Sequence, residues 1–142
     1  MVIRAMLWPT FALVALILFV GLTLLIQRVA QLRRQPPTRA DFATLAASRA
    51  YFQSAERPAA NLANLFELPV LYFALVPLLL LTGQVGVAQV VLAWTYVALR
   101  AAHSIAHLTG RLRLRLILFV ASFAVLSAMW LTFAIDIGFS AR

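Results

Sequence analysis

Long apolar runs alternate with short polar connections along the whole chain. The apolar runs carry few charges and cover residues 7–26, 61–81, 87–108 and 116–137. Each is close to the roughly 20 residues that an α-helix needs to cross the hydrocarbon core of a bilayer. The pattern predicts an all-α integral membrane protein, a bundle of four transmembrane helices that forms a single domain over residues 1–142.

The first run also has some features of a cleaved secretory signal, because Arg4 precedes it. Its apolar core is longer than a usual signal core, and no small-x-small cleavage site follows Gln27 and Arg28. A retained transmembrane helix is therefore the favoured interpretation. Trp8 and Pro9 suit a membrane interface and the first turn of a helix.

The composition agrees with a membrane protein. Of 142 residues, 64% are hydrophobic and 11% are charged, and mean hydropathy is +0.96. A soluble domain carries about 25% charged residues. These values exclude an ordinary soluble globule, a disordered tail and a free nucleic-acid-binding domain, so no nucleic-acid partner is expected. The absence of cysteine excludes disulfides, thiolate metal ligands and a cysteine nucleophile.

The net charge of +8 comes from arginine alone, and its distribution predicts a topology. Nine of the 12 basic residues lie in the connections 27–60 and 109–115, whereas Arg4 and Arg142 flank the two ends of the chain. The positive-inside rule then places both connections in the cytoplasm and both termini on the other side. In a bacterium the membrane would be the inner membrane.

The long connection, residues 27–60, is predicted to contain a helix of its own. Pro36 and Pro37 end the extension of the first helix. Thr38 offers an N-cap with Asp41 three residues later, and the alanine-rich stretch 40–54 is typical of a helix. Apolar residues and one arginine recur there at helical spacing, which favours contact with the membrane or a neighbouring helix: Phe42, Leu45, Arg49 and Phe52.

Polar residues inside apolar runs are costly in lipid and usually face the interior of a bundle. The second run carries Asn61, Asn64 and Glu67, spaced three apart, and the third carries Arg100, His103 and His107. At 1.5 Å per residue, Glu67 lies about 15 Å below Arg57, and Arg100 lies about 16 Å below Arg111. This matching depth predicts a buried ion pair between Glu67 and Arg100.

The remaining polar residues are predicted to continue this pair as a column toward the cytoplasmic surface. Asn64 lies level with His103 and Asn61 with His107, while Arg115 and Arg28 stand at the mouth. The column is either interhelical hydrogen bonding alone or a pocket for an anionic or zwitterionic ligand. His103 and His107 have the spacing of two imidazoles on one metal, but only Glu67 offers a third ligand, so no metal site is predicted.

The combined features resemble one known family. They are the basic first connection, Glu56-Arg57 leading to Asn64-x-x-Glu67 with Pro69 beyond, and Arg100-x-x-His103 on the third helix. Together they are similar to the MAPEG family, the membrane-associated proteins in eicosanoid and glutathione metabolism. The resemblance covers nearly the whole chain and is specific from Arg49 to Phe119. The chain looks like a divergent, bacterial-type member.

This resemblance implies a homotrimer of four-helix protomers that binds glutathione in clefts between subunits, in the cytoplasmic half of the membrane. It assigns the catalytic role to Arg115, which would steady the thiolate of the cofactor. It assigns cofactor binding to the polar column: Asn64, Glu67, Arg100, His103, His107 and Arg28. Arg100 would hold Glu67 in place.

The sequence also departs from the pattern of the glutathione-using members. Ala60 and Ala63 occupy the positions of arginines that hold the carboxylates of glutathione, and Phe119 replaces a tyrosine one turn after Arg115. His107 stands where another tyrosine is expected, one turn after His103.

Three functions therefore stay open. The first is a membrane-embedded transferase or peroxidase that uses glutathione or another thiol on lipophilic electrophiles. The second is a non-catalytic member that binds lipid or serves as an accessory subunit, which the alanines favour. The third is a small multidrug exporter, which a Glu67 paired with Arg100 argues against.

Overall fold

A computed structural model describes residues 2–140, with side chains for residues 4–139, and this part of the chain is helical without strands. The α-helices are α1 (Val2–Ala5), α2 (Leu7–Arg34), α3 (Leu45–Tyr51), α4 (Glu56–Glu67), α5 (Pro69–Leu81), α6 (Val87–Leu108) and α7 (Leu112–Ser140). Two 3₁₀ turns, Ala40–Phe42 and Gln53–Ala55, flank α3. Arg142, predicted at the non-cytoplasmic end, lies outside the described residues.

Three segments in the described part of the chain are long and apolar enough to cross a membrane, namely Leu7–Arg34, Gln53–Leu81 and Leu112–Phe139. The chain is accordingly a multi-pass membrane protein. The third predicted span is a helix with the predicted bounds, Val87–Leu108, but it is not among these three. Its 22 residues would reach about 33 Å.

The lower apolarity of α6 has a structural cause. This helix buries a polar set against its neighbours, which consists of Gln89, Arg100, His103, Ser104 and His107. A helix enclosed by others needs less apolar surface toward lipid than the outer helices do. The polar face that α6 packs against its neighbours therefore lowers its mean hydropathy below that of the three apolar spans.

Apart from α6, the helical segments extend beyond the predicted apolar runs. The helix α2 continues for two turns beyond residue 26 to Arg34, and its 28 residues are about 42 Å long. The helix α4 begins at Glu56 rather than at residue 61, because Pro58 fits the first turn, where N–H groups lack helical partners. The last helix begins at Leu112 rather than at residue 116.

The short helix of the long connection begins later than predicted. The Asp41 carboxylate accepts hydrogen bonds from Thr38 N and Thr38 Oγ1, both at 2.7 Å, but these start only a 3₁₀ turn. Thr44 is the actual N-cap, because its Oγ1 accepts from the backbone N–H of Ala47 at 3.1 Å. The predicted helix over 40–54 is thus wrong in extent, because a second capping residue stops the chain from continuing through Ala43.

The apolar core lies in the half of the bundle that contains the start of α2 and the end of α5. Tyr72 of α5 stacks on Tyr96 of α6 with ring centroids 5.3 Å apart, and both side chains are fully buried. The Tyr72 hydroxyl shares a hydrogen bond of 3.1 Å with Thr10 Oγ1 of α2. The core therefore joins three helices through aromatic packing and one polar contact.

The two basic connections lie together at the other end of the bundle. The Arg57 guanidinium sits beside Gly110, so near that an added Cβ at Gly110 would lie 3.3 Å from Arg57 Nη2. Gly110 has φ +74°, a left-handed conformation that glycine adopts without strain. The predicted topology places both basic connections on the same side of the membrane, and the contact between Arg57 and Gly110 agrees with this placement. That this side is the cytoplasm stays a prediction.

Candidate functional site

The polar side chains of α6 form a buried face that points to the start of α4 and the start of α7. Arg100 is fully buried, and His103, Ser104 and His107 are each at most 5% exposed. Their spacing of three and four residues keeps them on one side of the helix. The sequence predicted this face correctly, with the exception of Ser104, which gives no signal beyond its spacing.

Reciprocal hydrogen bonds join the end of α6 to the start of α7. His103 Nδ1 lies 3.1 Å from the backbone oxygen of Arg115, and Arg115 Nη1 lies 3.1 Å from His107 Nε2. We call this arrangement the His–Arg clasp. It fixes the Arg115 side chain next to the two imidazoles that the sequence placed near it.

The clasp determines the proton positions on both rings. A carbonyl oxygen only accepts, so His103 Nδ1 carries the proton that it donates to Arg115. A guanidinium only donates, so His107 Nε2 is the acceptor and is unprotonated. When His103 is neutral, its Nε2 is an enclosed lone pair without a partner among the described residues.

Arg100 is not paired with Glu67. It donates from Nη2 to the backbone carbonyl of Asn64, and its Nε and Nη1 have no partner among the described residues. The Glu67 side chain is exposed and makes no hydrogen bond or ion pair with Arg100. The predicted ion pair is therefore wrong for the single chain. The argument against a small multidrug exporter, which depended on this pair, no longer holds.

Helix geometry explains this correction. Residues three apart differ by about 60° around the helix axis, so Asn61 and Glu67 differ by about 120°. Asn61 is fully buried, Asn64 is half-buried and Glu67 is exposed, in that order around the helix. The three side chains therefore follow a line that winds around the helix, and they do not share one face. The Asn61 side-chain amide is buried, and neither its oxygen nor its nitrogen has a hydrogen-bond partner in the described chain.

The predicted column contains a cavity of about 380 Å³, which we call the clasp cavity. Polar groups of Asn64, His103 and Arg115 line one part of it. Apolar and basic residues complete its wall: Leu112, Arg113, Leu116 and Phe119. Asn64 and His103 are therefore level, as the depth argument predicted, and a single cavity combines a fixed cation with an apolar surface.

A second opening lies on the other side of Arg115. Its volume is about 250 Å³, and its lining includes Arg57, His107 and Arg115. Arg57 was not predicted as a site residue. Its position in the first turn of α4 would have been the signal, because that places it level with the basic turn before α7.

Arg28 lines a different cavity from Arg115. Its guanidinium lies 5.2 Å from the centre of the Phe52 ring, a cation–π arrangement. The cavity beside it measures about 440 Å³ and is lined by Arg28, Arg49, Ala60 and Ala63, among others. The predicted placement of Arg28 at the mouth of the same column is wrong, because Phe52 draws it toward α3. Arg49, which the helical spacing of the connection had singled out, is its basic neighbour.

Comparison with known proteins gives one match. The model of the MAPEG family matches residues 6–135, which is most of the chain and contains every site residue described above. No curated protein and no solved structure matches the chain. The extent of the family match, together with the helical membrane-spanning fold, establishes that the chain belongs to the MAPEG family.

Proposed function

We propose that this protein is a membrane-embedded transferase or peroxidase that uses glutathione, or a similar small thiol, on lipophilic electrophiles. The observation that carries the proposal is the clasp cavity. Its lining combines Arg115, His103 and Asn64 with the apolar residues Leu116 and Phe119.

Arg115 is suited to hold a thiolate. A guanidinium is permanently charged, and a nearby cation lowers the pKa of a thiol and raises its thiolate fraction. The hydrogen bond to His107 keeps this group oriented before any ligand arrives. The apolar wall admits an electrophile that partitions into lipid, so both reactants meet at one place.

The cavity beside Arg28 supplies a place for the rest of the thiol compound. Ala60 and Ala63 leave room there and bring no charge. Arg28 and Arg49 line the same cavity and provide two guanidinium groups, which suit carboxylates because of their forked donors, and Glu56 adds one negative charge to this lining. In this proposal they replace the arginines that other glutathione-using members carry at positions 60 and 63.

The proposed assembly is a homotrimer of protomers in which α6 is the fourth membrane-spanning helix. Its support is the exposure of Glu67, which lies near the middle of the 29-residue spanning segment Gln53–Leu81. A carboxylate at that depth is costly against lipid and favours a position facing protein or a water-filled cleft. A neighbouring subunit that covers this face would supply both, and native mass spectrometry of the protein in detergent measures the number of subunits.

Glutathione binding to the purified protein in detergent, measured by calorimetry, tests the proposed activity. We expect binding in the micromolar to millimolar range that Arg115→Ala abolishes while the oligomer stays intact. Arg111→Ala is the matched control, because Arg111 belongs to the same basic turn, is exposed and lies outside the clasp cavity. Its affinity for glutathione should equal that of the wild type.

The alternative function is a non-catalytic member that binds lipid or serves as an accessory subunit. The alanines at positions 60 and 63 favour it. Absence of glutathione binding at several millimolar, in protein that keeps its oligomeric state, would refute the transferase proposal in favour of this alternative.

A further inference from the structure

A third polar cavity lies at the opposite end of the bundle from the His–Arg clasp. It measures about 280 Å³ and is formed by the turn between α5 and α6 and by the last turns of α7. Its polar lining includes Gln89, Thr132 and Asp136. Gln89 precedes His103 by 14 residues of the same helix, which corresponds to about 21 Å. We call this space the Gln89 cavity, and it is separate from the proposed thiol site.

The side-chain amide of Gln89 is fixed in one orientation. Its Nε2 donates to the backbone oxygen of Met129 at 3.1 Å and to Thr132 Oγ1 at 2.8 Å. The opposite orientation would set two acceptor oxygens against each other at Met129, so the amide cannot be reversed. The oxygen Oε1 is therefore the free group, and no donor among the described residues reaches it.

An acceptor left without a donor in a buried side chain indicates that a donor from outside the chain belongs there. Gln89 is only 3% exposed, and an unpaired buried polar group costs about 1–3 kcal/mol. The Asp136 carboxylate lines the same cavity and adds a negative charge. Together these two groups form an acceptor side that suits an ammonium group, which carries both positive charge and several N–H donors.

The start of α6 brings groups of the opposite polarity to the same cavity. The 22-residue helix α6 begins there after Gly86, which has no side chain to cap it. The first N–H groups of a helix lack helical partners and carry partial positive charge, so they attract anions such as phosphate. Gly86 and Ala88 line the cavity at this helix start. The cavity thus combines groups that attract an anion with groups that attract a cation.

We propose that the Gln89 cavity binds a phosphoethanolamine group, with the primary ammonium at Gln89 Oε1 and Asp136 and the phosphate at the start of α6. Exposed apolar side chains surround this end of the bundle, including Leu81, Val87 and Phe139. Acyl chains of a membrane lipid can lie against these side chains while the headgroup occupies the cavity. Phosphatidylethanolamine is therefore the expected source of the group, and free phosphoethanolamine is the soluble source.

Native mass spectrometry of delipidated protein in detergent tests the proposal, with short-chain phosphatidylethanolamine and phosphatidylcholine of the same chains as probes. The quaternary ammonium of phosphatidylcholine has no N–H to donate. We expect phosphatidylethanolamine to bind roughly tenfold more tightly to the wild type, because it gains a hydrogen bond to a charged group. Asp136→Asn should remove this preference, and Gln89→Met should reduce it.

Asp41→Asn is the matched control, because Asp41 is an acidic residue of the long connection and lies outside the Gln89 cavity. This variant should keep the full preference for phosphatidylethanolamine. Asp136 is exposed, so its variant leaves the packed core intact even if Gln89→Met does not fold.

Equal binding of both lipids by the wild type, or an unchanged preference in Asp136→Asn, would overturn the proposal. A further titration with free phosphoethanolamine identifies the source. Binding by the lipid alone supports a bilayer ligand, and equally tight binding by the free compound supports the same site with a soluble ligand. Neither result depends on glutathione binding at the other end of the bundle.

Discussion

The buried guanidinium of Arg100 gives the sharpest test of how polar groups are stabilised in this bundle. Replacing Arg100 with Met keeps a long side chain but removes the charge. Replacing Glu67 with Gln removes the opposite charge. Because the structure shows no direct contact between the two side chains, the effects of both changes on the free energy of unfolding should be additive. Independent sites usually add to within about 0.5 kcal/mol.

Two opposing contributions set the size of the Arg100→Met effect. The variant leaves the Asn64 carbonyl without its donor, which costs about 1–3 kcal/mol. It also removes a fully buried charge whose Nε and Nη1 are unpaired, and burying such a charge costs several kcal/mol. These two contributions have opposite signs and partly cancel. The free energy of unfolding of Arg100→Met should therefore stay within about 2 kcal/mol of the wild type.

Reversible unfolding in mixed micelles, followed as the denaturing detergent is increased, measures all four proteins of the double-mutant cycle. A loss of about 3–5 kcal/mol in Arg100→Met would instead be the signature of a broken buried ion pair. If that loss disappeared in the double variant, Arg100 and Glu67 would be partners in the assembled protein, and the reasoning from the single chain would be refuted.

Other measurements test further contacts. Tyr72→Phe removes the hydrogen bond to Thr10 and should lower the free energy of unfolding by about 0.6 kcal/mol, a typical value for an interhelical hydrogen bond in a membrane; no change would show that water replaces the bond. Gly110→Ala forces a side chain into a left-handed conformation and should cost about 1–2 kcal/mol in the same unfolding assay, whereas full stability would contradict the φ of +74°. Backbone and side-chain hydrogen bonds from Thr38 lower the pKa of Asp41 below 3.8, so these bonds stabilise the turn at higher pH and are lost as the pH falls through the lowered pKa. A carboxyl NMR titration should show this midpoint move upward in Thr38→Val; an unmoved midpoint would exclude the hydroxyl as a contributor.

Apolar periodicity and charge distribution were sufficient to predict most of the fold. Runs of apolar residues define where a helix meets lipid, but they do not define where it ends in water. The first apolar run stops at residue 26 although α2 continues to Arg34, and it was Pro36 and Pro37 that predicted where this extension ends. The sequence also does not show which residue caps the short helix of the long connection. Thr38 and Thr44 both have suitable side chains, and only the folded chain shows that Thr44 starts the α-helix.

Three of the predicted site residues, Asn64, His103 and Arg115, line the clasp cavity, whereas Glu67 and Arg28 lie elsewhere. Depth arithmetic placed Asn64 level with His103, and both line the clasp cavity. The same arithmetic could not give the rotation of α4, which turns Glu67 away from Arg100. Arg28 was displaced by its contact with Phe52, a residue that sequence patterns alone do not bring near it.

The His–Arg clasp also constrains how this protein can change over evolutionary time. Position 107 must supply a hydrogen-bond acceptor for the guanidinium of Arg115, and an imidazole nitrogen does this here. A tyrosine oxygen can accept as well, so a tyrosine at position 107 would supply the same kind of group. Relatives that lose the arginine at position 115 should therefore be free to carry an apolar residue at position 107, and the two positions should vary together.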